Sequence, residues 1–324
     1  MPTALITGIS GQDGAYLSRF LLNKNYKIIG LTREIKPFFR LKYLGIEDDI
    51  SIKKCNLLNL KQVTNIVDRY CPDEIYNLAA QSSVSQSFNN PSETITFNIN
   101  SVVNILESIK QIEKSIKFYQ ASSSEMYGNV ESLPINEKTP MHPLSPYAIS
   151  KVAAHWITIN YRESFDLFTC CGILFNHESY LRGENYFLKK VIRESLEIKN
   201  KKRKYLKVGN IDIRRDFGYS PKYVEAMWLM LQNNFPEDYI VCSGKSVLLR
   251  DIVYYILDKL NIDRKRVVID RSLFRPRDIS DIYGNAQKAK DILNWNYSID
   301  FYEVLDMLIE EEEKNFVINS QIRV

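Results

Sequence analysis

Residues 4–22 read ALITGISGQDGAYLSRFLL, and the fold is decided here. Ala4–Thr7 is a short apolar run of strand character, and residues 15–22, AYLSRFLL, place their apolar side chains at helical spacing. Between them Gly8, Gly11 and Gly14 form a G-x-x-G-x-x-G turn. Glycines let the backbone turn sharply and approach a pyrophosphate, which then rests on the helix N-terminus, where unpaired N–H groups point outward. Strand, glycine turn and helix at the head of the chain predict a dinucleotide site in a doubly wound α/β fold.

The alternation continues outward from this unit. Strands are expected at Tyr26–Leu31, Ile50–Lys54, Glu74–Leu78, Ile116–Ala121 and Phe168–Phe175. Helices are expected at Asn59–Tyr70, with Asn59 as N-cap, and from Pro91 to about Lys114. Repeated strand–helix units imply a mostly parallel sheet of Rossmann type. An NAD site commonly carries an acidic residue after the second strand; here Arg33 follows Thr32, which suits a 2′-phosphate and favours NADP over NAD, although Glu34 is next. Asn56 and Leu57 follow the third strand, where an adenine would rest, and small residues after the fourth, Ala79 and Ala80, allow close backbone approach. From about Arg182 the alternation loosens. Strand-like pieces at Tyr205–Val208 and Tyr239–Cys242 mix with helical ones at Tyr223–Gln232, Leu249–Leu260 and Phe301–Glu312. Residues 1–180 are therefore read as the dinucleotide-binding domain. Residues 181–324 are read as a smaller mixed α/β substrate-binding part, with some chain returning to the first.

Gln120–Lys151 bears the reacting groups. It reads QASSSEMYG, an 18-residue spacer, then YAISK. Ser123-Ser124-Glu125 closes an apolar run, which puts hydroxyls and a carboxylate at the sheet's carboxyl edge, where open α/β folds bind ligands. Tyr147 and Lys151 are four apart, on one face of a helix. A nearby ammonium favours a phenolate, so Tyr147 is a candidate general base.

Composition excludes several classes. The 324 residues carry 43 basic and 39 acidic side chains, a net charge of +4 that gives no case for nucleic-acid binding. The densest basic run, Lys199–Lys204, is expected to be a solvated loop after a helix, and the charged run Glu310–Lys314 to be solvated. No apolar run nears the roughly 20 residues that span a bilayer, and MPTALITG does not look like a signal peptide. Five scattered cysteines without metal-like spacing suit a reduced cytoplasmic protein. His177, in Asn176-His177-Glu178, has no second or third ligand at metal spacing, so no metal is expected and a hydrogen-bonding role is assigned instead.

Taken in order, ALITGISGQDGAYL, DEIYNLAAQS, FYQASSSEMYG, SPYAISKVAAHWITINYRES, GILFNHES, LRGEN, RRDFGYSPKYVEAMWLML and FRPRDISDIYGNAQKAKDILNW resemble the extended short-chain dehydrogenase/reductase superfamily. Within it they resemble the GDP-mannose 4,6-dehydratases, or a close relative acting on another GDP-sugar. The resemblance spans nearly the whole chain. It implies that hydride leaves sugar C4 for NADP⁺ while Tyr147 takes the hydroxyl proton. Glu125 then abstracts the C5 proton, water leaves from C6, and the hydride returns to C6. Ser123 would bond the C4 oxygen, and Lys151 would lower the Tyr147 pKa and bind the nicotinamide ribose. Cofactor contacts would come from Gly8, Gly11, Gln12, Asp13, Gly14, Arg33, Asn56, Leu57, Leu78, Ala80, Tyr147, Lys151, His177 and Arg182. The GDP-sugar would be held by Ser83, Asn176, Lys190, Arg215, Arg275 and Asp278, the arginines meeting its diphosphate. Arg182 lies in a loop that in the family can reach a neighbouring subunit's cofactor, which implies a homodimer or homotetramer. Ser124 stands where dTDP-glucose dehydratases carry an Asp, which favours the GDP branch.

Departures bear on the sugar. Ser83 replaces a frequent His, Asn56 a frequent Asp, and Tyr180-Leu181 the usual Pro-Arg. The expected reaction therefore converts GDP-mannose or GDP-N-acetylglucosamine, or else a GDP-heptose, to the 4-keto-6-deoxy sugar for surface glycans. An epimerase or reductase of the same superfamily and a non-catalytic nucleotide sensor are the rival readings.

Overall fold

The computed structural model describes residues 1–35, 38–112 and 115–321. Six early strands are β1 (Thr3–Thr7), β2 (Lys27–Thr32), β3 (Ile50–Lys54), β4 (Glu74–Asn77), β5 (Lys117–Ser123) and β6 (Thr169–Leu174). Six more follow: β7 (Asn176–Glu178), β8 (Leu206–Val208), β9 (Arg214–Tyr219), β10 (Tyr239–Val241), β11 (Ser246–Leu248) and β12 (Val267–Ile269). Among the described residues, seven strands form one parallel sheet in the order β10-β6-β5-β4-β1-β2-β3. The order reverses at β1, between β4 and β2, and there open α/β sheets form a crevice for ligands. The doubly wound expectation holds.

The sheet is buried on both faces, because strand side chains alternate between them. Leu5, Ile29, Ile75 and Phe118 enter one apolar layer, with Val63 and Val67 of the helix Leu60–Tyr70 and Val102, Ile105 and Leu106 of the helix Pro91–Lys110. Their neighbours Ala4, Ile6, Ile28, Tyr76 and Tyr119 enter the other layer, with Leu17 of the helix Gln12–Leu22 and Val224 and Met227 of the helix Ser220–Gln232. The second half of the chain thus supplies both the edge strand β10 and a covering helix to this sheet. Over its carboxyl edge stand two small sheets, β11-β9-β7 and β12-β8.

Local rules account for most boundaries. Asn59 caps its helix through a bond from Gln62 N at 3.0 Å, and Pro begins the helices Pro91–Lys110 and Pro146–Phe165, where its missing N–H is harmless. Three expectations are corrected. The helix read to about Lys114 ends at Lys110 within the described residues, and residues 113–114 lie outside them. The helices Val84–Asn89 and Phe187–Lys199 were not foreseen; the first is short and mostly polar. The acidic run Glu310–Lys314, expected to be solvated, buries Glu312 against Lys189.

Two glycines test the turn. Gly8 and Gly45 share φ +68°, but a Cβ on Gly8 would lie 2.8 Å from Leu78 C and Ala79 N, whereas one on Gly45 meets nothing within 4 Å. Urea unfolding should show Gly45→Ala costing about 1 kcal/mol through backbone strain alone. Gly8→Ala should cost about 1–3 kcal/mol more through crowding. Equal midpoints would show that β1 and β4 do not approach closely at this turn.

Candidate active site

The carboxyl ends of β1, β4 and β5 are tied by polar side chains. Thr7 Oγ1 donates to Asn77 Oδ1 (2.6 Å) and accepts from the Leu78 and Ala79 amides (3.1 Å each), while Asn77 Nδ2 donates to Gln120 Oε1 (2.8 Å). Gly8 turns over this ladder, and Gly14 lets the helix pack beneath it, since a Cβ there would lie 2.8 Å from Ile9 Cα. A cavity of about 570 Å³ opens beside the turn, lined by Gly8, Gly11, Arg33, Leu57, Leu78 and Ala80 among others. Arg33 is exposed at its rim, 5.7 Å from the Phe97 ring centroid. Asn56 departs from expectation. Its Oδ1 accepts from Leu58 N at 3.1 Å in its own turn, and Cys55 and Leu57 line the cavity in its place.

Gln12, Asp13 and His177 hold one another. Asp13 Oδ2 accepts from His177 Nε2 (2.9 Å), and Oδ1 accepts from Ser220 Oγ (2.9 Å) and Gln12 Nε2 (3.1 Å). His177 Nδ1 meets Phe175 O at 2.7 Å, so the ring has an acceptor at each nitrogen. Burial opposes charge on both partners, but their mutual attraction prevails. Asp13 is held well below the usual carboxylate range, helped by Arg182 and Ser220, and His177 is raised. Ser179 Oγ donates to Gln12 Oε1 at 2.7 Å and completes the cluster.

The four expected catalytic residues line one cavity of about 390 Å³, with Gly8, Gly11, Asp13, His177 and Arg182. Ser123 ends β5 and caps the single turn Ser124–Met126, its Oγ accepting from Glu125 N at 3.3 Å; this turn brings Glu125 into the cavity. Ser145 caps the helix Pro146–Phe165 through a bond from Ala148 N at 3.1 Å, which sets Tyr147 in its first turn and Lys151 one turn later. The expected acidifying effect of Lys151 is not the dominant influence here. Burial pushes the Tyr147 phenol up, against a bond to Ser123. Lys151 Nζ donates to Ala121 O at 2.8 Å, 5.9 Å from the Tyr147 ring centroid, and burial pushes its own pKa down to about 8.

Glu125 also borders a third cavity, about 280 Å³, lined by Asn176, Arg182, Lys190, Arg215, Arg275 and Asp278 among others. Arg215 is buried on β9; its Nη1 donates to Arg214 O (2.7 Å) and Ile279 O (2.6 Å), while Nη2 is buried with no protein partner. Arg275 lies 3.9 Å from Glu125 and 4.0 Å from Asp278. Lys190 Nζ donates to Lys207 O at 3.1 Å. Arg182 sits in its own chain's cleft, 3.6 Å from Glu178 and 3.7 Å from the Tyr186 ring centroid. Ser83 lines the first two cavities but uses its Oγ to cap Val84–Asn89, accepting from Gln86 N at 3.3 Å.

Sequence reading missed Arg40 and Tyr186, which also line the cleft. Neither belongs to a spaced motif; Arg40 comes from the short helix Phe39–Tyr43 and Tyr186 from the residue preceding the helix Phe187–Lys199. A further cavity of about 680 Å³ lies by His155 and Trp156. Two of its cations are already neutralised: Arg162 pairs with Asp238 (2.6 Å) and Lys288 with Glu237 (2.6 Å).

The Asp13–His177 pair carries a pH signature. Asp13 is lowered, so its share of stability is present above about pH 4 and is lost as pH falls through its lowered value. His177 is raised, so its share is complete below about pH 6.5 and is lost as pH rises through its raised value. The melting temperature of His177→Gln should fall furthest below that of the parent between roughly pH 4 and 6.5, with a narrowing gap in more alkaline buffer. A gap independent of pH would remove the charge from the pair.

A family model described as GDP-mannose 4,6 dehydratase matches residues 5–308. The chain is 40% identical over 322 residues to GDP-mannose 4,6 dehydratase 1 of Arabidopsis thaliana, covering 95% of this chain and 89% of that one. Among solved structures, dTDP-glucose 4,6-dehydratase from Bacillus anthracis in complex with NAD superposes with a TM-score of 0.85 at 22% identity, covering 97% of each chain. RMD from Pseudomonas aeruginosa complexed with NADPH gives 0.82 at 23% identity, covering 97% of this chain and 100% of that one. The two structures share the fold; the family match and the Arabidopsis relative reach further, and by them this chain belongs to the GDP-mannose 4,6-dehydratase family.

Proposed function

We propose that this chain is an NADP-dependent GDP-mannose 4,6-dehydratase. The carrying observation is that Ser123, Glu125, Tyr147 and Lys151 line one cavity together with the glycine turn. The glycine turn fits a dinucleotide because Gly8 and Gly11 line the cavity beside it, while Gly8 and Gly14 let the turn pack closely where a Cβ would meet backbone atoms at under 3 Å. Arg33 at the rim favours the 2′-phosphate of NADP over NAD. Gly8, Gly11, Gly14, Leu57, Leu78, Ala80 and Lys151 would hold the dinucleotide, with Asp13 and His177 bracing the turn. When bound, it supplies a hydride acceptor and returns that hydride later. Arg215, with one buried and unpartnered nitrogen, and Arg275 would meet the sugar nucleotide's diphosphate. Asn176, Lys190 and Asp278 would fix the rest of the ligand.

Tyr147 takes the proton from the C4 hydroxyl, with Ser123 bonded to the same oxygen. Oxidation at C4 acidifies the C5 hydrogen. Glu125 removes that proton and passes it to the departing C6 hydroxyl, which leaves as water. The bound dinucleotide would supply the hydride that saturates C6; C5 then takes a proton from solvent and Tyr147 releases its own, so the sugar shows no net redox change. A carboxylate beside Ser123 and Tyr147 favours elimination over simple epimerisation, which needs no such base. Mannose is preferred as the hexose because the family and the Arabidopsis relative are named for it; neither name points to N-acetylglucosamine or a heptose. A reduced cytoplasmic setting suits the free cysteines, and among the described residues no helix is long and apolar enough to cross a membrane. A homodimer or homotetramer is part of the proposal, to be read by sedimentation.

The purified chain, given GDP-mannose and NADP⁺, should yield a product lighter by one water in mass spectrometry. A panel of GDP-, UDP-, CDP- and dTDP-sugars sets the specificity, and turnover confined to a non-GDP donor would reject the substrate. Glu125→Gln should lower kcat by about 10²–10⁴-fold, the usual contribution of a positioned base, with the dissociation constant for NADPH unchanged. Product formation at the parental rate by that variant would sink the base assignment.

A further inference from the structure

Arg40 has no part in the site as read from sequence, yet it lies where three remote segments meet. It belongs to a short helix, Phe39–Tyr43. Its Nε donates to Leu181 O at 2.6 Å, beside Arg182, and its Nη1 donates to Ser10 O at 2.9 Å, inside the glycine turn. It also lines the catalytic cavity with Gly8, Gly11 and Arg182. Among the described residues no carboxylate lies within ion-pair distance of it. Burial lowers its pKa and the Arg182 charge adds to that, while Tyr186 and Glu184 act the other way.

Two half-buried guanidinium groups in one cleft repel each other in a medium that screens poorly. Arg182 has Glu178 as counter-ion, whereas the hydrogen-bond partners of Arg40 are carbonyl oxygens and Glu184 acts on it only from beyond ion-pair distance. A cation so placed is incomplete until an anion joins it. Ser10 O lies in the turn whose backbone is shaped to admit phosphate, so the anion that reaches this point is a phosphate. The fork of an arginine suits the task, since two N–H groups hold the protein while others remain for a phosphate oxygen.

We propose that Arg40 is a phosphate ligand of the dinucleotide and, through its two carbonyl bonds, the splint that aligns the glycine turn with the Leu181–Arg182 loop. This rests on the dinucleotide site of the reading above but not on the identity of the sugar.

The test is direct binding of NADPH and NADH to the purified chain, without sugar, by calorimetry. Arg40→Met should weaken binding at least about tenfold, as expected for loss of a charge-assisted bond. Arg40→Lys, which keeps the charge but not the fork, should recover part of the loss. Weakening of both dinucleotides assigns the diphosphate; weakening of NADPH alone assigns the 2′-phosphate. Unchanged dissociation constants for both, even with a lowered melting temperature, would leave Arg40 a splint alone and overturn the proposal. A parent chain that binds neither dinucleotide overturns it together with the cofactor assignment. Failure to dehydrate GDP-mannose by a chain that still binds NADPH touches only the function.

Discussion

A single half-buried carboxylate couples the two halves of this protein. Asp13 stands in the first turn of the first helix, and it accepts hydrogen bonds from Gln12, from His177 after β6 and from Ser220 at the start of a helix in the second half. An ionised group taken out of water is tolerated only when several donors surround it, so the glycine turn, β7 and the helix Ser220–Gln232 are constrained to meet. The partner His177 is itself fixed, bonded to Phe175 O and lying 4.7 Å from the Tyr223 ring centroid. The glycine turn and the cavity beside Arg215 therefore share one polar hinge-pin, and neither half sets its geometry alone.

The reacting groups are governed by the same economy of burial. Tyr147 and Lys151 lie on a helix whose inner face is buried, and removal from water disfavours the charged form of each. Burial alone therefore works against the phenolate that a base at Tyr147 needs. Ser123 works against this by bonding the phenol, and Glu125 is set beside it by a turn too short to swing freely. In the neighbouring cavity, Arg215 reaches its place by spending one nitrogen on two carbonyls and leaving the other buried without a protein partner.

How far the sequence could be read follows from the range of the forces involved. Period-two and period-3.6 patterns are local, so β1, β3 and the helices around Asn59–Tyr70 and Leu249–Lys259 lay within about a residue of their expected bounds. Val84–Asn89 escaped because a six-residue helix of mostly polar side chains has no pattern to display. Glu312 looked solvated because nothing nearby in sequence shows that Lys189 waits for it. That Asn56 Oδ1 also accepts from Leu58 N in its own turn is a local competition that position alone does not display.

The sequence by itself determined the strand–helix alternation, the glycine turn and the two motifs Ser123–Glu125 and Tyr147–Lys151, because each depends on residues a few positions apart. Only the tertiary structure decided which cations are satisfied and which are not. Asp13 and His177 are 164 positions apart and Arg40 and Leu181 are 141 apart. Such pairs form only after the chain has folded, since burial and the hydrogen bonds that compensate it are properties of the assembled interior and not of any segment.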